Sequence, residues 1–291
     1  MAILQMSEDQ WIKGRLLRWL TQKGDSDWGR DPGHFDPRAV EETLRRVRRF
    51  IGPHNYFRLD AQGMHQIPSQ PSLIVSNHSG GTTIPDVWGF MASWYAQFGT
   101  IRPLHPMAHE MVFSTRFTGP YFANRGVLRA SPGLGFKVLT EWRRDLMVMP
   151  GGDLDTWRPY RDRHKVRFGG RMGYARLALR ANVPIVPVAN TGAHETFMVL
   201  TDGRKLARAI GLHDIARSDV FPVHLSFPWG IGIGPLPHIP IPGTLRYFIG
   251  KPILPPRQFD RDEPLPEEII RELDAEVRRA IQSQLDELAK S

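Results

Sequence analysis

Three short, unbroken apolar runs constrain this chain more than any other feature: Leu73–Val75, Leu146–Met149 and Ile185–Val188. Apolar residues at every position, not at every second one, mark strands covered on both faces, as in the sheet of an α/β protein. Helical patterns lie between and around them, over 86–98, 106–114, 132–144, 172–181 and 194–209. The chain closes with a long amphipathic helix over about 266–289, in which Ile270, Leu273, Val277, Ile281 and Leu285 share one face. Strands alternating with helices predict an α/β fold, a central mixed sheet flanked by helices.

The chain has 291 residues, between one large domain and two ordinary ones. Residues 53–291 read as a single domain, preceded by an N-terminal helical segment over 1–52. There, Ser7 and Gln10 form a capping-box pattern. Ile12, Leu16, Trp19 and Leu20 then fall on one face, with Lys13, Arg15 and Arg18 around it. That pattern suits a helix docked on the domain and equally one lying in a membrane interface. A second helix, over 37–51, opens at Pro37 and carries Arg45, Arg46, Arg48 and Arg49, a cluster that could meet phosphates or simply face solvent.

The segment richest in chemistry runs from Ser72 to Asp86. Its apolar strand ends abruptly in Asn77, His78, Ser79, Gly80 and Gly81. Ligands of α/β proteins gather at such strand ends, and glycines there let backbone N–H groups approach a substrate. Asp86 is the only Asp, Glu, Lys or Arg between residues 61 and 101. A carboxylate that accepts from one imidazole nitrogen fixes the tautomer and leaves the other nitrogen free to take a proton. His78 is therefore the candidate general base and Asp86 the residue that orients it.

At this point the sequence resembles the lysophospholipid and glycerolipid acyltransferases, the superfamily that includes the 1-acylglycerol-phosphate acyltransferases. Asn77-His78 with a downstream Asp86 looks like their histidine–aspartate signature. Met149-Pro150-Gly151-Gly152 looks like the Phe-Pro-Gly-Gly block of the monoacylglycerol and diacylglycerol acyltransferase branch. Val183-Pro184-Ile185-Val186-Pro187-Val188 is similar to the hydrophobic proline block that closes the core. The blocks occur in the expected order over roughly residues 55–255.

Two departures stand out. Seven residues separate His78 from Asp86, more than the family's usual spacing, so a loop must return Asp86 to the imidazole. Gly151 stands where the phosphate-handling branch carries Glu, which leaves the acceptor open. The resemblance implies an acyl-CoA or acyl-carrier-protein donor, a lipid hydroxyl acceptor, no metal and no cofactor. It also implies substrate contacts from Asn77, Gly80, Gly81, Pro150, Gly151, Gly152 and Asp153.

Arg158, Arg161, Arg163, Arg167 and Arg171 follow the glycine turn closely. Arg158 and Arg171 are the candidates for holding donor phosphates or an acceptor headgroup. Gly126-Val127-Leu128-Arg129 loosely resembles a second family block, and Arg129 there is as readily a surface residue. Phe221–Pro242 alternates Pro and Gly with Phe227, Trp229, Ile231, Ile233 and Ile239, an apolar lid beside the site or a loop folded into the core.

The chain has no cysteine, which excludes a thiolate nucleophile, a disulfide framework and Cys-ligated zinc. It has no Gly-x-Ser-x-Gly elbow, Walker A loop or Gly-x-Gly-x-x-Gly fingerprint. His105 and His109 read as surface-helix residues and not as zinc ligands. The net charge of +8 favours anionic partners. A membrane surface, expected to be anionic, fits better than nucleic acid, because the aromatics lie mostly in neutral segments.

The N-terminus shows no signal-peptide pattern, and the prolines of residues 220–245 interrupt the longest uncharged stretch. The expectation is a cytoplasmic protein, peripheral on the inner face of a membrane. The rival expectation is a non-catalytic acyl- or lipid-binding protein on the same fold.

Overall fold

The computed structural model describes residues 27–52, 55–209, 219–236, 238–260 and 262–290. The helix expected around Ser7–Leu20 lies outside the described residues.

The apolar runs form the centre of the sheet. They are β2 (Leu73–Ser76), β5 (Asp145–Val148) and β6 (Ile185–Thr191), joined by β1 (Phe57–Gln62), β3 (Leu104–Ala108), β4 (Leu128–Arg129) and β10 (Gly243–Ile249). The order is β1-β10-β6-β2-β5-β3-β4 in one seven-stranded sheet. β6, β2, β5, β3 and β4 run parallel, while β10 meets β6 antiparallel and is parallel to β1. The sheet is therefore mixed and mostly parallel.

The two-residue pleat explains why the central strands are apolar throughout. Leu73, Val75, Leu146 and Ile185 face a layer built by α4 (Pro132–Thr140), α6 (Gly173–Ala181) and α8 (Glu267–Leu288). Ile74, Met147, Val186 and Val188 face the opposite layer, with α1 (Pro37–Val47) and α2 (Pro85–Phe98). Both faces are dry, so every position must be apolar. α8 follows its predicted stripe, with Ile270, Leu273, Val277, Ile281 and Leu285 all buried. No helix among the described residues is long and apolar enough to cross a membrane.

Some elements differ from the sequence expectation. Residues 106–114 are not a helix: β3 is followed by a 3-10 turn, Glu110–Phe113. Pairing of β3 with both β4 and β5 overrides the local pattern. His105 is thus a buried strand residue whose Nδ1 donates to the Gly126 carbonyl at 2.8 Å, not a surface-helix residue.

The stretch 194–209 also divides, into a 3-10 turn His194–Thr196, strand β7 (Met198–Thr201) and helix α7 (Arg204–Ala209). Gly203, at φ +61°, makes the break, and a Cβ there would lie 1.9 Å from the Phe221 carbonyl oxygen. β7 pairs with β8 (Val223–Ser226) and β8 with β9 (Gly230–Ile233) in a small antiparallel sheet. The Pro-rich 221–242 segment therefore contributes two of the three strands of this small sheet. The remaining described helices are α3 (Thr118–Ala123) and α5 (Asp153–Thr156).

Candidate active site

β2 delivers the chain to the carboxyl end of the parallel strands, where Asn77 and His78 leave the sheet. The longer His–Asp spacing is absorbed by a compact loop. Gly80 (φ +95°) opens it, a 3-10 turn spans Gly81–Thr83, and Ile84 reverses the chain at φ 43°. A β-branched residue in that left-handed region is a steric outlier. Pro85 then starts α2, with Asp86 in its first turn. The result is direct contact: His78 Nδ1 donates to Asp86 Oδ2 at 2.7 Å.

Asp86 is held on every side. Its Oδ2 also accepts the Ser79 amide at 2.7 Å, its Oδ1 accepts the Val87 amide at 2.9 Å, and its carbonyl accepts the Tyr247 hydroxyl at 2.9 Å. Burial pulls the His78 pKa down. The Asp86 carboxylate, by its charge and its hydrogen bond, and the Asp155 charge raise it by more, against Arg158, so the imidazole ends above its ordinary value.

Asp155 is a component the sequence reading missed. It lies in the short helix α5 after the glycine turn, and its Oδ2 accepts the His78 backbone N–H at 2.6 Å. Its Oδ1 accepts the Arg167 amide at 3.2 Å and pairs with Arg158 Nη1. Both side chains of that ion pair are fully buried. The one signal in the sequence was an acid three residues before an arginine, the spacing of neighbours on one helical turn.

Arg158 consequently departs from its expected role. Its guanidinium is spent on Asp155 and on the Arg163 carbonyl, with no exposed edge to offer a phosphate. Arg171 is half exposed at the rim instead, where Nη1 donates to the Gly151 carbonyl at 2.8 Å and Nη2 to Asp153 Oδ1 at 3.0 Å.

The other expected contacts divide likewise. Asn77 is fully buried and forms a double link to β6: its Nδ2 donates to the Asn190 carbonyl at 2.9 Å, and its Oδ1 accepts the Asn190 amide at 2.8 Å. It ties β2 to β6 behind the histidine and does not line the cavity. Asn190, also missed from sequence, accepts the Ser79 hydroxyl at 2.7 Å as well.

Gly80 and Gly81 are glycines of close approach. Side chains there would meet Pro85 at 2.5 Å and His238 at 2.8 Å. Gly151 packs in the same way against Asp155 and Arg167, whereas Pro150, Gly152 and Asp153 border the open site. Arg129 lies on β4, where it pairs with Glu110 at 2.6 Å.

His78 borders a cavity of about 560 Å³, within the range of about 300–1,000 Å³ usual for small-molecule sites. Its walls are mainly apolar: Ile84 from the loop, Val87 and Trp88 from α2, Met107 and Ala108 from β3, Val112 and Phe122, Met147 to Pro150, and Tyr174 and Leu177 from α6. The polar groups are few, chiefly His78, His109, Ser131, Asp153 and Arg171. The His78 side of the cavity thus opens into a space that an apolar chain would fill. No cluster of three or more metal-ligating side chains occurs among the described residues.

Residues 58–191, which hold the histidine–aspartate loop and the glycine turn, match the family model described as Acyltransferase. An uncharacterized protein of Mycobacterium tuberculosis is 29% identical over 271 residues, covering 92% of this chain and 71% of that protein. One from Mycobacterium leprae is 28% identical over 270 residues, covering 92% and 70%. Among solved structures, the 1-acyl-sn-glycerophosphate acyltransferase PlsC from Thermotoga maritima aligns with a TM-score of 0.47 at 17% identity, over 87% of this chain and 83% of that one.

Proposed function

From the premise that residues 58–191 form a domain of the acyltransferase superfamily, we propose that the protein is a membrane-surface O-acyltransferase that moves a fatty acyl group from a thioester to a lipid hydroxyl. The observation that carries this reading is the His78 Nδ1–Asp86 Oδ2 contact of 2.7 Å at the edge of the apolar cavity.

With Nδ1 held by Asp86, Nε2 is the nitrogen that takes the proton from the acceptor hydroxyl. The oxygen attacks the thioester carbonyl, and a C–O bond forms. The tetrahedral intermediate's oxyanion is met by backbone N–H groups at the strand ends. Its collapse breaks the C–S bond, and His78 returns the proton to the departing thiolate. Asp86 stabilises the imidazolium between these steps. No covalent enzyme intermediate is required.

The apolar walls of the cavity accommodate the acyl chain, and Arg171 with the Pro150–Asp153 turn sits where a polar headgroup or donor phosphate would lie. The donor is acyl-CoA or an acyl-carrier protein, and the acceptor a lysophospholipid, glycerolipid or related lipid alcohol. The working place is an anionic membrane surface on the cytoplasmic side.

The test is thiol release from long-chain acyl-CoA by the purified protein on liposomes that carry a panel of hydroxyl lipids, with His78→Ala alongside. Acceptor-dependent release should fall by about 10²–10⁴-fold in the variant, the usual contribution of a positioned general base. Equal release by a folded His78→Ala protein would reject the mechanism. Acyl-lipid binding without turnover in either form would instead favour a non-catalytic lipid-binding protein.

A further inference from the structure

The small sheet β7–β8–β9 breaks the usual pattern of a peripheral antiparallel sheet, apolar on one face and polar on the other. Its inner row, Val199, His224 and Gly232, pairs across the three strands and is buried. The adjacent row, Met198, Leu225 and Ile231, pairs across the same strands and points the other way. All three of these side chains are exposed, Ile231 to 68%. Leu200 and Ile233 extend the outer face, and Phe227 and Trp229 stand exposed where β8 turns into β9. None of the three strands contains a charged residue. A contiguous apolar face of this kind marks an interaction surface.

We propose that this outer face is the protein's membrane-docking surface, seated in the headgroup and upper acyl region of a lipid bilayer. Charge complementarity favours lipid as the occupant. Residues 220–245 contain no Asp or Glu, and α7, which follows directly from β7, turns Lys205 and Arg208 to solvent. An uncharged apolar face beside exposed cations matches the layering of an anionic leaflet. Trp229 and Phe227 at the tip are side chains suited to the boundary between water and hydrocarbon.

Continuity with the site supports the same occupant. Thr82 Oγ1 donates to the Leu236 carbonyl at 3.2 Å, and Thr83 Oγ1 lies 3.1 Å from His238 Nε2, so the histidine–aspartate loop abuts the chain leaving β9. Trp157, which lines the cavity, packs edge-on against Phe197 and tilted against His224 under the sheet, with ring centroids 5.6 Å apart in both pairs. A bilayer on the outer face would thus be separated from the cavity wall by the sheet and its inner aromatic layer. Docking there would serve the lipid acyl-transfer reading on which it rests, but it is measured without any acyl transfer, so the two can fail separately.

The absence of cysteine gives a direct test in the full chain. Ile231→Cys and, as a control on α8, the exposed Glu287→Cys are each labelled with an environment-sensitive fluorophore. They are then mixed with vesicles of phosphatidylcholine, alone or with phosphatidylglycerol. Docking predicts a blue shift at position 231, quenched by spin-labelled lipid and stronger with the anionic vesicles, and none at 287.

No shift at 231 overturns the proposal. So does a shift present before vesicles are added: one that grows with protein concentration assigns the face to a second copy, and a constant one assigns it to a cover within the chain. Independently, Ile231→Gln combined with Ile233→Gln should lower vesicle co-sedimentation by about tenfold or more at an unchanged melting temperature. Undiminished co-sedimentation of that variant would overturn it as well.

Discussion

Arg158→Met tests whether this arginine is a buried counter-ion or a substrate ligand. Methionine retains much of the unbranched apolar stem and removes the charge. In the native protein both partners of the Arg158–Asp155 pair are fully buried. Asp155 is left by the substitution with the His78 and Arg167 amides as donors, at 2.6 and 3.2 Å, but with no counter-charge from Arg158. Removing one side of a buried pair costs about 3–5 kcal/mol. At about 2–4 °C per kcal/mol for a domain of this size, the melting temperature should drop by about 6–20 °C.

The pH dependence has a definite sign. Burial already holds the Asp155 carboxyl above its ordinary range against the pull of Arg158, and losing the arginine lifts it further. A carboxyl whose folded pKa exceeds its unfolded value destabilises the fold above the unfolded pKa, and the penalty is relieved as pH falls through the folded pKa. The gap in melting temperature between variant and native protein should therefore narrow on going from about pH 8 toward pH 5. Thermal unfolding followed by circular dichroism across that range, with KM measured beside it, makes the test. A variant that melts with the native protein at every pH, yet shows a raised KM for a phosphate-bearing substrate, would refute the buried-ion reasoning and return Arg158 to the substrate.

Asp86→Asn removes the principal influence that raises the His78 pKa above 6.5. A general base acts when neutral, so the acid limb of the kcat/KM profile should lie above that value in the native enzyme and move to lower pH in the variant, while the plateau falls by about 10²–10⁴-fold. An unmoved limb would mean that the two side chains are not in contact during turnover. Gly151→Ala would place a Cβ 2.3 Å from Asp155 Cβ and 2.6 Å from the Arg167 carbonyl oxygen. Overpacking of that kind costs about 1–3 kcal/mol, and a melting temperature equal to the native one would show that the turn has room.

The sequence by itself determined the layer architecture, because a strand buried on both faces has no alternative to continuous apolar side chains; Ile74, Leu146 and Ile185 carried that information locally. The stripe of α8 was legible for the same reason: one buried face needs a period near 3.6. His78 and Asp86 were legible as residue types at the end of a strand.

What tertiary structure decided were matters of long-range pairing. Whether Asp86 reaches the imidazole depended on the backbone path through Gly80 and Ile84. The fate of 106–114 and of Met198–Thr201 depended on neighbouring strands, which override local helical pattern. Arginines that look alike in sequence parted because α5 turned Arg158 inward to Asp155 and left Arg171 at the rim. Asp155 and Asn190 became part of the site only when folding brought them to His78 and Asn77, 77 and 113 residues away in the chain. Local sequence fixes which face of an element must be dry, but a buried charge or amide is placed by whichever partner the fold brings to it.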